Sequence, residues 1–481
     1  MKIERSIKNA GTLLSGNVIA QGIAFLSYLL LSRLFTPDDF GLFTVFYGYL
    51  EVLIILSTCK YEQAIIVAPD DARAVQVSRM TLRLNLIVSL LFLALAALLA
   101  ASSALSSQSP TGFAPLPLSQ GGVPAGGGGS TFSHSHIFTF STLFLLIPLM
   151  VYFSGTSRVY SALGVRSGRF RAIAESDVAG SLSGTVFKLL AGLLAPVVRC
   201  LHTFGLPLGT LLGIMVRNTW LRRRAAPLLE RKPKRKPRQP LSPLQKGESP
   251  QGEGVFNSQF STFLATARQY KHYPLYVMPK EFLSSFSANL PFLWLALYFD
   301  NATIGLFSLA LTFLQRPVLM VANAMESSFY SDSASRQRQH QPLQRRLFRM
   351  TGGLAAVALP LAAVGFFWAE PIFTVLLGDQ WVGTGFYVRC LLPWMVVRLL
   401  ANTLSFTANL FETQRVDFWL QVAMLLLRVA ALAIGIVQHD FRLAILLFCA
   451  ASTLVQLVQL LWYLYQLQRY ERLLKNDNPS A

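Results

Sequence analysis

The sequence predicts an all-α polytopic membrane protein of about twelve transmembrane helices, in two six-helix lobes related by a pseudo-two-fold axis. Three observations carry that prediction. Apolar residues make up 53% of the 481-residue chain and charged ones only 14%, with a mean hydropathy of +0.46, whereas charged residues alone reach about a quarter of a soluble domain. Cations fall in alternate segments between the apolar spans, as the positive-inside rule requires. A short stretch near the N-terminus recurs after the midpoint.

The one long polar stretch, 217–254, reads RNTWLRRRAAPLLERKPKRKPRQPLSPLQKGESPQGEG. It divides the chain into an N-terminal lobe over 1–220, a basic Pro/Gly-rich cytoplasmic linker over 221–258 and a C-terminal lobe over 259–481. Its cations, from Arg222 to Arg238, face only Glu230, and its prolines and glycines predict a solvated connector without regular helix. A net charge of +8, out of +19 for the whole chain, sits here. In a soluble protein that would suggest nucleic acid; between apolar spans it reads as a retained cytoplasmic loop, with no nucleic-acid partner.

Taken in order, six spans precede the linker, over 11–31, 40–58, 82–101, 137–153, 178–198 and 201–220. Each is long enough for the bilayer core. The first is too long for a secretory signal core and shows no cleavage pattern. Asn17 and Gln21, one turn apart on it, mark a polar face turned to the bundle or a wet cavity. Pro37, Asp38 and Asp39 form a turn and helix start before the second span. Glu51 within that span is a coupling or ion-pair candidate, because an ionisable group at membrane depth is expensive.

A polar loop with Lys60, Arg73 and Arg79 leads to the third span. Between the third and fourth lies the Gly/Ser-rich connector TGFAPLPLSQGGVPAGGGGSTFSHSH, free of Lys and Arg as an exported loop should be. No G-K-[ST] follows its glycines, so it is no phosphate cradle. His134 and His136 on it are not read as a metal site. A loop with Arg158, Arg166, Arg169 and Arg171 follows the fourth span, and Lys188 stands near the middle of the fifth. After the linker, spans are expected over 275–299, 303–325, 351–377, 382–402, 418–437 and 443–467. With the N-terminus inside, the basic segments all fall on one face and only Arg33, Arg199 and Arg442 on the other, which places both termini in the cytoplasm. Cys59, Cys200, Cys390 and Cys449 are scattered singly, which points to neither disulfides nor metal, and no cofactor is called for.

LFTPDDFGLFT (34–44) aligns without gaps on YFDNATIGLFS (298–308), matching Phe35, Gly41, Leu42 and Phe43 with Phe299, Gly305, Leu306 and Phe307. Both stretches join the first and second helix of their half. Repeats in the same orientation imply an axis along the membrane normal and a central site between lobes, which is transporter architecture.

No Walker A, G-x-S-x-G, HExxH or carboxylate cluster appears, so no enzyme is indicated. The chemistry lies in cations at membrane depth: Lys188, Arg316, Arg389, Arg398 and Arg428, against Glu51 and Glu370. Each costs on the order of 2.5 to 3.5 kcal/mol at mid-span. Singly, each reads as well as a structural pair or a snorkelling side chain; together they favour an anion site. Pro317 beside Arg316, and Pro393 between Arg389 and Arg398, predict broken helices of the kind that build midplane sites.

LSRLFTPDDFGLFTVF with KYEQAIIVAPDDARA, then YPLYVMPKEFLSSFSANLPFLWLALYFDNATIGLFSLALTFLQRPVLMVANAMESSFY and GFYVRCLLPWMVVRLLANTLSFTANLFETQRVDFWLQ, resemble bacterial oligosaccharide flippases of the polysaccharide-biosynthesis family, within the multidrug/oligosaccharidyl-lipid/polysaccharide exporter superfamily. The resemblance covers nearly the whole chain outside the connector and the linker. It implies a carrier in the bacterial cell (inner) membrane that flips undecaprenyl-pyrophosphate-linked oligosaccharide to the outer leaflet by alternating access. The product would be O-antigen of lipopolysaccharide, capsule or exopolysaccharide, and the implied partners are polysaccharide polymerase and chain-length proteins. The alternatives are a multidrug exporter of the same superfamily, whose cationic drugs would favour acidic cavities, and a membrane-embedded polymerase or ligase, which should carry a large charged outer loop. The glycan and the coupling ion stay open.

Overall fold

The computed structural model describes residues 2–108, 143–230, 263, 266–338, 342–411 and 413–477. Among them are fifteen α-helices and no strand: α1 Lys2–Leu34, α2 Pro37–Thr58, α3 Tyr61–Val67, α4 Asp71–Gln108, α5 Leu146–Arg166, α6 Phe170–Leu194, α7 Cys200–Glu230, α8 Met278–Leu295, α9 Asn301–Arg338, α10 Gln344–Phe367, α11 Ala369–Leu377, α12 Thr384–Leu404, α13 Phe406–Leu410, α14 Gln414–Val437 and α15 Phe441–Asp477. A π turn over Tyr273–Val277 leads into α8.

The chain is a multi-pass membrane protein. Nine helices among the described residues are long and apolar enough to span, with a shorter apolar helix at Val18–Leu34. Large apolar side chains stand outward where water would penalise them, such as Leu91 and Leu98 on α4 and Leu361 and Phe367 on α10. Such surface belongs in lipid. Of the twelve expected spans, the first, fourth and seventh fall outside the nine. Some side chains of the first, and the opening residues of the fourth, lie outside what is described, and the seventh is interrupted by the π turn before an 18-residue α8 carrying Lys280 and Glu281.

Several expectations are corrected. The stretch expected to avoid helix is helical through Glu230, the last described residue before 263, because Arg, Ala and Leu favour helix there and outweigh Pro227. Arg73 and Arg79, expected in a loop, ride on α4, and Arg158 and Arg166 on α5. The cause is length: α4 has 38 residues, about 57 Å at 1.5 Å each, against a core of about 30 Å. The span over 351–377 is two helices, α10 and α11, joined at Trp368. Pro317 and Pro393 lie inside continuous helices, α9 and α12. Each proline removes one helical donor, opposite Phe313 and Arg389 respectively, and packing holds the helix through it.

The repeated hairpin packs on its own twin. A Cβ on Gly41 would lie 1.9 Å from the Asn301 carbonyl oxygen, and one on Gly305 would lie 1.9 Å from that of Pro37. In the alignment Pro37 and Asn301 are equivalent, so the contact is reciprocal: each glycine receives the first helical residue of the other copy. The helix starts match as well, by exchanged residues. Ahead of α2, Asp39 Oδ2 accepts from Thr36 N (2.9 Å) and from Thr36 Oγ1 (2.8 Å). Ahead of α9, Asp300 accepts from Thr303 N (2.9 Å) and from Thr303 Oγ1 (2.9 Å). Thr-x-x-Asp in one copy is Asp-x-x-Thr in the other, and both satisfy the orphan donors of a helix N-terminus.

By internal contacts the chain sorts into two compact units. One comprises Met1–Val52, Ile173–Gly213 and Pro279–Ala481; the other comprises Leu53–Ala172 and Ile214–Met278. In the second, Arg166 is the organising side chain. Its Nη1 donates to the carbonyls of Ile65, Ile66 and Ala68 (3.2, 3.3 and 2.6 Å) and its Nε to Asp71 Oδ1 (3.1 Å). A cation is thereby set on the carbonyl end of α3, where the helix dipole favours it. Arg158 lies 3.7 Å from Glu62, and Tyr61 and Gln76 bond to Ala267 and Thr266 beyond the basic linker. Asn85 donates to the Tyr152 carbonyl at 2.9 Å, over Gly155, whose missing side chain leaves the room.

Candidate functional site

Within the first unit, a close glycine contact positions Lys188. Gly180, Gly184 and Lys188 recur every fourth residue on α6, and Gly205, Gly209 and Gly213 do so on α7. A Cβ on Gly184 would meet the Gly209 carbonyl oxygen at 2.8 Å, and one on Gly213 would meet that of Gly180 at 2.7 Å. Backbones this close are what small residues at four-residue spacing permit in a membrane. Lys188 takes the next place in the row: its Cγ lies 2.4 Å from where a Gly209 Cβ would be, so its stem runs over the bare glycine. The ammonium reaches 5.3 Å from the centre of the Phe43 ring, a cation–π distance.

Lys188 faces Arg316 of α9. The Arg316 guanidinium donates to the Tyr28 hydroxyl and lies within electrostatic range of Tyr47 and Glu51. Tyr47 is hydrogen-bonded to Glu51, and Asn289 Nδ2 donates to Glu51 Oε2 at 3.1 Å and to the Ser285 carbonyl at 3.0 Å. Gly48 packs beside Asn289, where a Cβ would lie at ordinary contact distance, 3.5 Å from Asn289 Oδ1. The result is one polar cluster at membrane depth, with two cations and one carboxylate. The carboxylate is already engaged by an amide and a phenol. The cluster therefore sets two positive charges, one of them a forked guanidinium, against a single carboxylate.

The other expected cations lie elsewhere. Arg398 and Arg428 meet around Trp394, with guanidinium carbons 5.4 and 5.2 Å from its ring centre, and Arg428 is also 4.8 Å from that of Phe448. Arg428 Nε donates to Ser452 Oγ (2.8 Å), and its Nη1 donates to Ser287 Oγ (2.9 Å) and to the Ser287 carbonyl (3.2 Å). Arg389 Nε donates to the Phe366 carbonyl at 3.1 Å and so serves the end of α10. Glu370, counted at membrane depth, stands in the first turn of α11 and accepts from Gly383 N at 2.5 Å, just ahead of α12. A carboxylate is at home against that helix start.

Gln21 lies on α1 and is partly buried, while the Asn17 side chain, like His134 and His136, lies outside the described residues. No group of three metal-ligating side chains occurs among the described residues. Sequence reasoning missed Tyr28, Tyr47, Asn289, Trp394 and the two serines, since neutral polar residues and aromatics in spans carry no signal by themselves. The glycine rows were visible as G-x-x-x-G spacing.

A family model described as "Polysaccharide biosynthesis protein" matches residues 256–385, which include Arg316. No curated protein sequence matches the chain. Among solved structures, the chain is similar to the lipid II flippase MurJ in an inward closed conformation (TM-score 0.63, 12% identity, 96% of this chain and 91% of that one). It is also similar to an inward-facing multidrug resistance MATE family transporter of the MOP superfamily (TM-score 0.57, 11% identity, 95% and 96%). A third match is a MOP superfamily transporter from Pyrococcus furiosus described by the reverse polarity of its binding pocket (TM-score 0.53, 13% identity, 96% of each chain). These likenesses run nearly end to end and give the fold: that of the two-lobed MOP-superfamily transporters.

Proposed function

We propose that this chain, built on the MOP-transporter fold, flips an undecaprenyl-pyrophosphate-linked oligosaccharide from the cytoplasmic to the outer leaflet. It acts in the bacterial inner membrane with both termini cytoplasmic, and the glycan goes to surface polysaccharide: O-antigen, capsule or exopolysaccharide. One observation carries the reading. Arg316 and Lys188 come together at membrane depth beside a single carboxylate, Glu51. Buried cations in excess need an anion, and a pyrophosphate supplies one while its polyprenyl tail stays in lipid. A cationic drug would meet the wrong sign of charge. The family match over 256–385 points to polysaccharide synthesis, and a flippase of lipid II has a similar fold. The 1–220 and 259–481 lobes would alternate access around the site, and polymerase and chain-length proteins would receive the product.

The test is export by variants in a strain lacking the wild-type protein. Loss of the protein should remove surface glycan while lipid-linked units collect on the cytoplasmic face. Arg316→Ala should export almost nothing at unchanged membrane abundance, and Arg316→Lys should retain a part, because an ammonium keeps the charge and loses the fork. Normal export by Arg316→Ala at normal abundance would discard the site. Units that reach the outer leaflet and stay unpolymerised would favour a polymerase.

A further inference from the structure

The second pair of cations differs from the first. Arg428 is 5% exposed and Trp394 4%, with Ser287 at 3% and Ser452 at 0%. They come from four helices, α8, α12, α14 and α15, of the first unit. No carboxylate among the described residues is recorded as a partner of Arg398 or Arg428, unlike Arg316, which has Glu51 within range. Two guanidiniums this close in a low-dielectric interior repel each other and have lost water, and cation–π contact offsets only part of that.

What the cluster offers is one-sided. Arg428 spends Nε and Nη1 on the two serines, leaving its other terminal nitrogen to donate. Both serine oxygens accept from it, so their hydroxyl hydrogens point elsewhere, and no acceptor for them is recorded among the described residues. The indole Nε1 of Trp394 is buried with no hydrogen-bond partner. A neutral indole donor left unpaired inside a protein is itself costly. Arg398, half-buried, adds its whole fork. The polar hydrogens left uncommitted here outnumber the lone pairs. Donors around two fixed positive charges favour an anion, which accepts from them and carries the opposite charge, over water, which is neutral.

Size narrows the class. With Trp394, Ser287, Ser452 and Arg428 almost fully enclosed, a headgroup that carries both a polyprenyl chain and a sugar is too large, and the occupant must be small. We infer that Arg398, Arg428, Trp394 Nε1 and the Ser287 and Ser452 hydroxyls form a separate site for a small inorganic anion, of the size of chloride or phosphate. This site is independent of the lipid-pyrophosphate reading of Arg316 and Lys188. It would hold a resident counter-ion that neutralises the interior of the C-terminal helices.

The full-length chain in lipid nanodiscs, kept in sodium gluconate, would be titrated with sodium chloride and separately with sodium phosphate at constant ionic strength. Thermal unfolding and tryptophan fluorescence would be read together. One of the two anions should raise the Tm by several degrees and saturate, since a ligand of the folded state stabilises it by mass action. The ion that saturates at the lower concentration is the occupant. Arg398→Gln should weaken its apparent affinity at least tenfold, Arg398→Lys less, and Arg316→Gln should leave it unchanged. Trp394→Phe should abolish the fluorescence response and weaken binding. No saturable rise with either anion, or the same rise in Arg398→Gln, would overturn the site. Arg428→Gln is set aside as a test because its loss would unfold the cluster, and the more exposed Arg398 decides. Failure of glycan export with this response intact would count against the transport reading alone.

Discussion

Gly41→Ala and Gly305→Ala probe the reciprocal contact of the repeat. The new Cβ would sit 1.9 Å from a backbone oxygen in each case, while a carbon and an oxygen in contact need about 3.3 Å. The helix starts must therefore separate by about 1.4 Å, and backbone on both sides leaves no flexible side chain to yield. Overpacking of this kind costs roughly 1–3 kcal/mol, against a helix-propensity gain of about 1 kcal/mol for leaving glycine. Each single variant should then lose up to about 2 kcal/mol. The double variant should lose clearly less than the sum, because the separation forced by one methyl also makes room for the other: a Gly305 Cβ would lie only 3.1 Å from Gly41 N. Gly22→Ala and Gly352→Ala are the controls, since nothing lies within 4 Å of a Cβ at either position. They should be neutral or slightly stabilising. Unfolding of the purified protein in mixed micelles with increasing SDS measures all five. Additive losses, or singles no worse than the controls, would refute the reciprocal packing.

Three further outcomes follow from the geometry. Gly209→Ala should displace the Lys188 stem, 2.4 Å from the new Cβ, and press on the Gly184 carbonyl oxygen at 3.0 Å; export should fall at least as far as in Lys188→Met, and combining the two should lower it no further. Thr36→Ala should cost about 1 kcal/mol through the lost cap, whereas Thr36→Asp with Asp39→Thr, which installs the arrangement of the other copy, should restore most of it in the same unfolding assay. Among the native thiols, exposed Cys200 should alkylate first. Cys59 should lag at pH 8 because burial, with Glu62 nearby, raises its thiol above the usual range and so keeps the reactive thiolate scarce until the pH rises further. Iodoacetamide labelling read by mass spectrometry at pH 8 and pH 9.5 would show the order, and equal rates at pH 8 would contradict it.

The membrane class and the helical fold were legible in the sequence because hydropathy and length are sums over many residues. Hydropathy found nine of the twelve expected spans among the described residues; it did not find their ends. Arg73, Arg79, Arg158 and Arg166 are polar, so they read as loop, yet a helix propagates past the bilayer surface at no penalty in water. The prolines misled for a related reason: Pro317 and Pro393 remove one bond each, and packing along α9 and α12 outweighs it. Arg316 and Lys188 were legible as costly charges, and α6 and α9 bring them together. That Arg398 and Arg428 make a different cluster, and that Arg389 and Glu370 serve helix ends, depends on register between helices far apart in the chain, which no local pattern encodes.

The exchanged caps at Thr36/Asp39 and Asp300/Thr303 bear on how internal duplication is detected. Column by column, the two turns differ at both positions and lower the score of the alignment. Scored as a bond between positions three apart, they are the same object written in opposite order. A search that compared such position pairs, allowing donor and acceptor to trade places, would register the turns as equivalent where a residue-by-residue comparison counts only disagreement.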